Sequence, residues 1–258
     1  MSTSGVHGGS PVSHSDSEGE EEEEDAPTFV QYKVIVLGDG AVGKTSLVQR
    51  FTKDNFQQSY KQTIGLDFFA RRISLPENVH ANLQIWDIGG QQLGSAMLDT
   101  YLAGSHAILL VYDITNFQSF RDLEDWLYFV KQTFSKAPKM PYVGLIGNKM
   151  DLTHIREVKY DRHVRFAQDN GLHPFLASAK TGDQVDLAFF KVAADLSGIA
   201  LTMPEMEVQK RVVAATVVEY ALTDSATEEA RDPRDTTAAD TNTALPTHKK
   251  KPRKCTIQ

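Results

Sequence analysis

No segment of the sequence restricts the fold as tightly as Gly38-Asp39-Gly40-Ala41-Val42-Gly43-Lys44-Thr45, a Gly-x4-Gly-Lys-Thr run. It stands between a β-rich stretch, Lys33–Leu37, and a stretch of about Lys44–Asp54 in which Leu47, Val48 and Phe51 recur at helical spacing. A strand, a glycine-rich turn and a helix are therefore expected in that order. The glycines let the backbone come close to a ligand, and the loop amides point inward where the helix end adds partial positive charge. That arrangement suits phosphate oxygens. Lys44 would reach the terminal phosphates as a point charge, and the Thr45 hydroxyl would ligate a magnesium ion bridging them. Ser46 is expected to join the same nucleotide-contacting set. Which nucleotide is bound is left open by the run itself.

The remaining sequence supplies a sheet around this unit. From Tyr32 onward short β-rich runs alternate with longer helical ones, which predicts an α/β domain with a mainly parallel sheet. Strands are expected at Lys33–Leu37, Asp67–Leu75, Val79–Trp86, His106–Tyr112, Tyr142–Gly147 and Pro174–Ala177. Further helices are expected near Ser119–Lys136, Asp161–Asn170 and Val185–Leu196. Pro76-Glu77-Asn78 is too short for anything but an antiparallel hairpin, so one strand pair should run against the rest. The domain is expected over 31–200. Before it, 1–30 holds eight acids and no Lys or Arg and reads as a disordered acidic leader, where Ser15 and Ser17 precede acids that suit an acid-directed kinase. After it, 201–258 reads as a flexible tail that opens with an amphipathic helix or loose segment over Met203–Ala221.

Composition narrows the classes. At 258 residues and 41% hydrophobic, the chain can bury a sizeable core. Its net charge of −7 comes from the leader, because 31–202 balances 18 basic against 17 acidic residues and 203–258 balances nine against nine. No basic face for nucleic acid stands out, and nucleic acid is not expected as a partner. Apolar runs such as Ile108–Val111 are strand-sized, far below the roughly 20 residues of a membrane span. The Ser-, Gly- and Glu-rich start lacks the basic and apolar regions of a secretory signal, and a reducing, intracellular setting is expected. The single Cys255 excludes an internal disulfide framework and a zinc site built on several thiolates.

Three further segments carry chemistry. Asn148-Lys149-Met150-Asp151 follows a strand, at the carboxyl end of the sheet where open α/β folds bind ligands. The Asp151 carboxylate accepts two hydrogen bonds at once, which matches the N1-H and 2-amino donors of guanine and not the edge of adenine. Ser178-Ala179-Lys180 ends the last strand, where a backbone amide would meet the base carbonyl and Lys180 would pack on the ring. In Trp86-Asp87-Ile88-Gly89-Gly90-Gln91, Asp87 would hold the magnesium through water, Gly90 would offer its amide to the γ-phosphate, and Gln91 would position an attacking water. Thr63, in a polar loop, would close on the metal when the γ-phosphate is present. Each residue taken singly also suits a turn or a cap.

In this order the segments resemble the five motifs of the Ras-superfamily small GTPases, over about Lys33–Ile199. Ile64–Phe68, Leu83–Asp87 and Leu109–Thr115 look like the Rab branch in particular. The resemblance implies a doubly wound, six-stranded, mostly parallel sheet with one antiparallel hairpin strand. It also implies a monomeric switch that binds GTP or GDP with Mg2+, hydrolyses GTP and recruits effectors to vesicles, governed by an exchange factor and a GTPase-activating protein. By the same resemblance Phe56 packs edge-on against guanine and Tyr60 covers the phosphates. Gly89 and Gln92 depart from the usual Ala and Glu of the branch, and Gly89 is expected to loosen the second switch. The alternative is a guanine-nucleotide-binding scaffold with little or no hydrolysis.

Cys255-Thr256-Ile257-Gln258 fits a C-a-a-X box whose terminal Gln favours a farnesyl group, so a prenyltransferase is an expected partner. Members of the branch usually end in paired cysteines. One lipid binds a membrane only marginally, with a constant on the order of 10⁴ M⁻¹ for a myristoyl chain. Lys249, Lys250, Lys251, Arg253 and Lys254 supply a second attraction toward an anionic surface, although short basic runs also read as nuclear-localisation patches. The expected location is the cytoplasmic face of plasma, endosomal, vesicle or ciliary-base membranes, with a cytosolic pool.

Overall fold

The computed structural model describes residues 26–57, 59 and 61–211. Six strands among these residues form one sheet: β1 (Thr28–Leu37), β2 (Leu66–Leu75), β3 (Val79–Ile88), β4 (Ala107–Asp113), β5 (Tyr142–Asn148) and β6 (His173–Leu176). Their order is β2-β3-β1-β4-β5-β6, with β2 and β3 antiparallel and every other pair parallel. Among the described residues seven α-helices accompany them: α1 (Lys44–Lys53), α2 (Leu98–Leu102), α3 (Phe117–Arg121), α4 (Leu123–Thr133), α5 (Tyr160–Asn170), α6 (Val185–Ser197) and α7 (Met203–Arg211).

Strand alternation builds a core on each face. Val34 and Val36 of β1 join a cluster with Leu47, Val48 and Phe51 of α1 and with Phe189 and Val192 of α6. Ile35 and Leu37 point the other way, into a cluster with Leu98 of α2, Leu123 and Trp126 of α4, and Ala167 of α5. The sheet is thus covered on both sides, as expected of a doubly wound fold. Every residue of β4 is buried, as a strand beneath two helical layers requires. The Phe51 and Phe189 rings stack at 4.2 Å and tie α1 to α6.

Parallel pairing puts the carboxyl ends of β1, β3, β4, β5 and β6 along one edge. Because β2 runs the other way, the loop that leads into it opens on that same edge. The register places Asp87 beside Val36 and Asn148 beside Asp113. Residues far apart in sequence therefore meet at the rim.

Some element bounds differ from those expected. β1 starts at Thr28, since its more exposed first half pairs with Val79–Leu83 of β3, a partner that alternation alone does not reveal. The expected helix over Ser119–Lys136 is two helices. Asn116 caps the first through the Gln118 and Ser119 amides, the chain turns at Asp122, and the second ends at Thr133. Two short elements were not expected, α2 and a 3₁₀ helix over Met150–Ile155. Within the stretch Met203–Ala221, α7 is described as far as Arg211, and Glu205 accepts from the Thr202 amide and hydroxyl ahead of it. The chain divides into Met1–Thr216 and Val217–Gln258, the second wholly outside the described residues. Most of the leader, Tyr60, the basic run and Cys255 also lie outside them. No helix among the described residues is long and apolar enough to cross a membrane.

Candidate nucleotide-binding site

The turn after β1 is shaped by two glycines with positive φ, Gly38 at 135° and Gly43 at 92°. A β-carbon on Gly38 would collide with the Val111 carbonyl, and one on Gly43 with the Asn148 side-chain amide. The first absence lets the turn lie on β4. The second admits Asn148, whose Nδ2 donates to the Val42 carbonyl at 2.9 Å. The segment that follows β5 is thereby wired to the turn that follows β1.

Lys44, at the start of α1, is 6% exposed. Its ammonium donates to the Gly38 and Asp39 carbonyls, each at 2.7 Å. Burial pulls its pKa down to about 8, against the opposing pull of Asp87 and Asp39. A cation held this way is poorly solvated and ready for an anionic partner.

Next to it Thr45 and Thr63 bring their hydroxyl oxygens within 2.7 Å of each other. The Thr45 hydroxyl donates to Oδ2 of Asp87, and that of Thr63 reaches the same oxygen at 3.5 Å. Asp87 is fully buried, and its Oδ1 has no hydrogen-bond partner. Burial pushes its carboxyl up to about 6, opposed by the Thr45 bond and the Lys44 charge. An orphaned, buried carboxylate oxygen beside two hydroxyls is a hard, all-oxygen donor set, and these residues fit Mg2+. Among the described residues no group of three or more His, Cys, Asp or Glu could hold a metal, and an ion at these oxygens would need phosphate or water oxygens as its further ligands.

At the far end Asp151 accepts from the Ser178 hydroxyl at 2.7 Å and lies 3.6 Å from the Lys180 ammonium. Asn148 Oδ1 accepts from the Ala179 amide at 3.1 Å. These contacts aim the Asp151 carboxylate from two sides. Between the two ends runs a cavity of about 730 Å³, lined by Lys44 and Thr45, Thr63, Gly90 and Gln91, and by Asn148, Asp151 and Lys180. Gly40, Ala41, Gly43, Ser46, Phe56, Lys149 and Ala179 also face it. Phe56 packs in addition on the core. Gly38, Asp39, Val42, Asp87 and Ser178 do not line the cavity and support residues that do. Gly90 lies so close on the cradle that a β-carbon would strike the Gly40 amide.

Three features were not expected. Lys149 has a positive φ of 68° and its ammonium pairs with Asp113 at 2.6 Å. Asp113 is 6% exposed and ends β4, and an acid directly after the apolar run Ile108–Tyr112 is the signal that could have found it. Trp126 of α4 donates its ring N–H to Asp39 at 2.9 Å, tying the cradle to the helix, and no spacing rule predicts that contact. Gly89 is buried, and its amide donates to the Gly65 carbonyl at 2.9 Å. Its missing side chain serves close packing between the two loops, a role beside the loosening of the second switch expected from its sequence.

The turn, the buried cation and the oxygen cluster at the rim of a doubly wound sheet define a nucleotide-binding domain of the P-loop class. The sequence profile of the Ras family matches residues 33–197. The chain is 43% identical to the Ras-related protein Rab-28 of Caenorhabditis elegans over 196 residues, 76% of this chain and 79% of that protein. It is 36% identical to the Ras-related protein Rab-13 of Canis lupus familiaris over 165 residues, covering 64% and 79% of the two chains. With the Ras-related protein Rab-1 of Theileria parva the identity is 40% over 167 residues, covering 64% and 74%. The chain belongs to the Ras family of small GTPases, in its Rab branch.

Proposed function

We propose that this chain is a membrane-anchored switch in vesicle traffic that binds GTP and GDP with Mg2+ and resets by hydrolysing GTP. The observation that carries the reading is the polarity of one cavity, with Lys44, Thr45 and Thr63 at one end and Asp151 at the other. Triphosphate and guanine make opposite demands, and the two ends meet one each.

Lys44 exchanges its two carbonyl partners for phosphate oxygens, and its depressed pKa still leaves it largely protonated near neutrality. Thr45 and Thr63, with Asp87 behind them, would hold the ion, which would supply neutralisation of phosphate charge when bound. Gln91 orients the attacking water from the cavity wall, and Gly90 offers its amide where charge grows on the γ-phosphate. Thr63 ties the loop before β2 to the cradle, so occupancy of the γ-phosphate position is read as loop order. Exchange factor, activating protein and effectors bind these two loops, and an arginine supplied by the activating protein adds about 10³–10⁵-fold to hydrolysis. The protein acts as a monomer on the cytoplasmic face of an anionic membrane, farnesylated at Cys255 and assisted by the basic run Lys249–Lys254.

Denaturing freshly purified protein and separating the released nucleotide tests this reading. GDP is the expected product. Adenine nucleotide overturns the role of Asp151, and protein that neither retains nor takes up guanine nucleotide overturns the reading as a whole.

A further inference from the structure

We infer that Arg50 is a positioning residue for the guanine end of the site, an inference that rests on the nucleotide-binding reading above. Arg50 lies on α1, six residues after Lys44, about 9 Å along the same helix. Its side chain is 19% exposed. The Nε donates to the Ala179 carbonyl at 3.0 Å and Nη2 donates to the Lys180 carbonyl at 2.8 Å. The remaining nitrogen, Nη1, turns outward to Asp54, at 3.0 Å from Oδ1 and 3.4 Å from the carbonyl.

One guanidinium edge thus grips two successive carbonyls, a geometry that a planar fork provides and an ammonium does not. On its other side Ala179 donates its amide to Asn148 Oδ1 at 3.1 Å, so this 3% exposed residue is clamped from both directions. Because the peptide is planar, turning the Ala179 carbonyl toward Arg50 turns the Lys180 N–H away from it. The same carbonyl grip fixes where Lys180 begins, and Lys180 is the residue whose ammonium faces Asp151.

The consequence reaches beyond the loop. Lys44 and Thr45 begin α1, and Arg50 lies further along it. The segment that reads the base is therefore referenced to the same rigid element that holds the phosphates. Loss of the fork leaves the phosphate end intact and lets the base end drift.

The test measures release of ribose-labelled fluorescent GDP from the full chain and from Arg50→Lys, Arg50→Gln and Asp54→Asn, together with GDP-over-ADP affinity ratios and single-turnover hydrolysis of pre-bound GTP. Arg50→Lys and Arg50→Gln are expected to release GDP about tenfold faster or more, as for loss of charge-assisted hydrogen bonds. The GDP-over-ADP ratio falls with it, hydrolysis of bound GTP is unchanged, and Asp54→Asn behaves as the parent. Wild-type release rates in both Arg50 variants overturn the inference. So does faster release that comes with an equal change in hydrolysis and an unchanged base ratio, the mark of general loosening. In either case the parent protein still binds GDP and the nucleotide-binding reading survives. A parent that takes up no GDP overturns both.

Discussion

The carbonyl oxygen of Thr63 lies 2.5 Å from the point that a β-carbon on Gly89 would occupy, while the Gly89 amide donates to the Gly65 carbonyl at 2.9 Å. The loop before β2 and the segment after β3 are therefore in backbone contact, with no space for a methyl group. Gly89→Ala forces the Thr63 carbonyl outward and pulls its hydroxyl away from Thr45 and Asp87. Overpacking of this kind costs about 1–3 kcal/mol, so amide hydrogen exchange at Gly89 should accelerate by about tenfold or more. Unchanged exchange at Gly89 would show that the two loops do not hold each other.

Gln91 lines the cavity and follows Gly90, which lies against the Gly40 amide of the turn after β1. Its proposed task is to orient water, and nothing in its placement makes it a clamp on the nucleotide. Gln91→Leu should slow single-turnover GTP hydrolysis by about tenfold or more while leaving GTP affinity near that of the parent. Equal hydrolysis rates in the two proteins would remove Gln91 from the mechanism and favour a nucleotide-holding scaffold.

Strands and motifs were legible in the sequence for one physical reason: they are local. A β-rich run, a turn too short for a crossover, and a glycine pattern between strand and helix each declare themselves within about ten residues. What escaped depends on partners distant in sequence. The first half of β1 is a strand because Val79–Leu83 pairs with it. Asp122 interrupts an otherwise continuous helical pattern, and the short α2 is held by Leu98 and Leu102 in the core beneath it. In the site, most of the residues proposed to contact nucleotide lie on the cavity wall and were readable from motif order. Their supports were not, because Trp126 on Asp39, Asp113 on Lys149 and Arg50 on Ala179 join segments from 36 to 129 positions apart.

The Asp151 carboxylate is held by the Ser178 hydroxyl and faces the Lys180 ammonium. Guanine presents two donors to such a group. Asp151→Asn replaces one acceptor with a donor, which mismatches the 2-amino group and suits the carbonyl that xanthine carries there. Affinity for GDP should fall by on the order of 10³-fold or more, and xanthosine diphosphate should become the better ligand in competition with labelled nucleotide. If Asp151→Asn still prefers GDP, the base is read elsewhere.

His163 of α5 is 1% exposed, its Nδ1 is 3.0 Å from the Tyr112 hydroxyl, and its Nε2 has no hydrogen-bond partner. Burial first, and then the positive charge of Arg156, pull its pKa from 6.5 down to about 4. The folded protein therefore keeps a neutral imidazole where the unfolded chain takes up a proton. Stability from this group is complete above about pH 6.5 and is lost as the pH falls toward about 4, with a total on the order of 3 kcal/mol. His163→Gln keeps an acceptor for Tyr112 and removes the titration. Urea midpoints measured at about pH 7.5 and about pH 5 should therefore drop further for the parent than for His163→Gln. Parallel losses in the two proteins would mean that other groups govern the acid limb of stability.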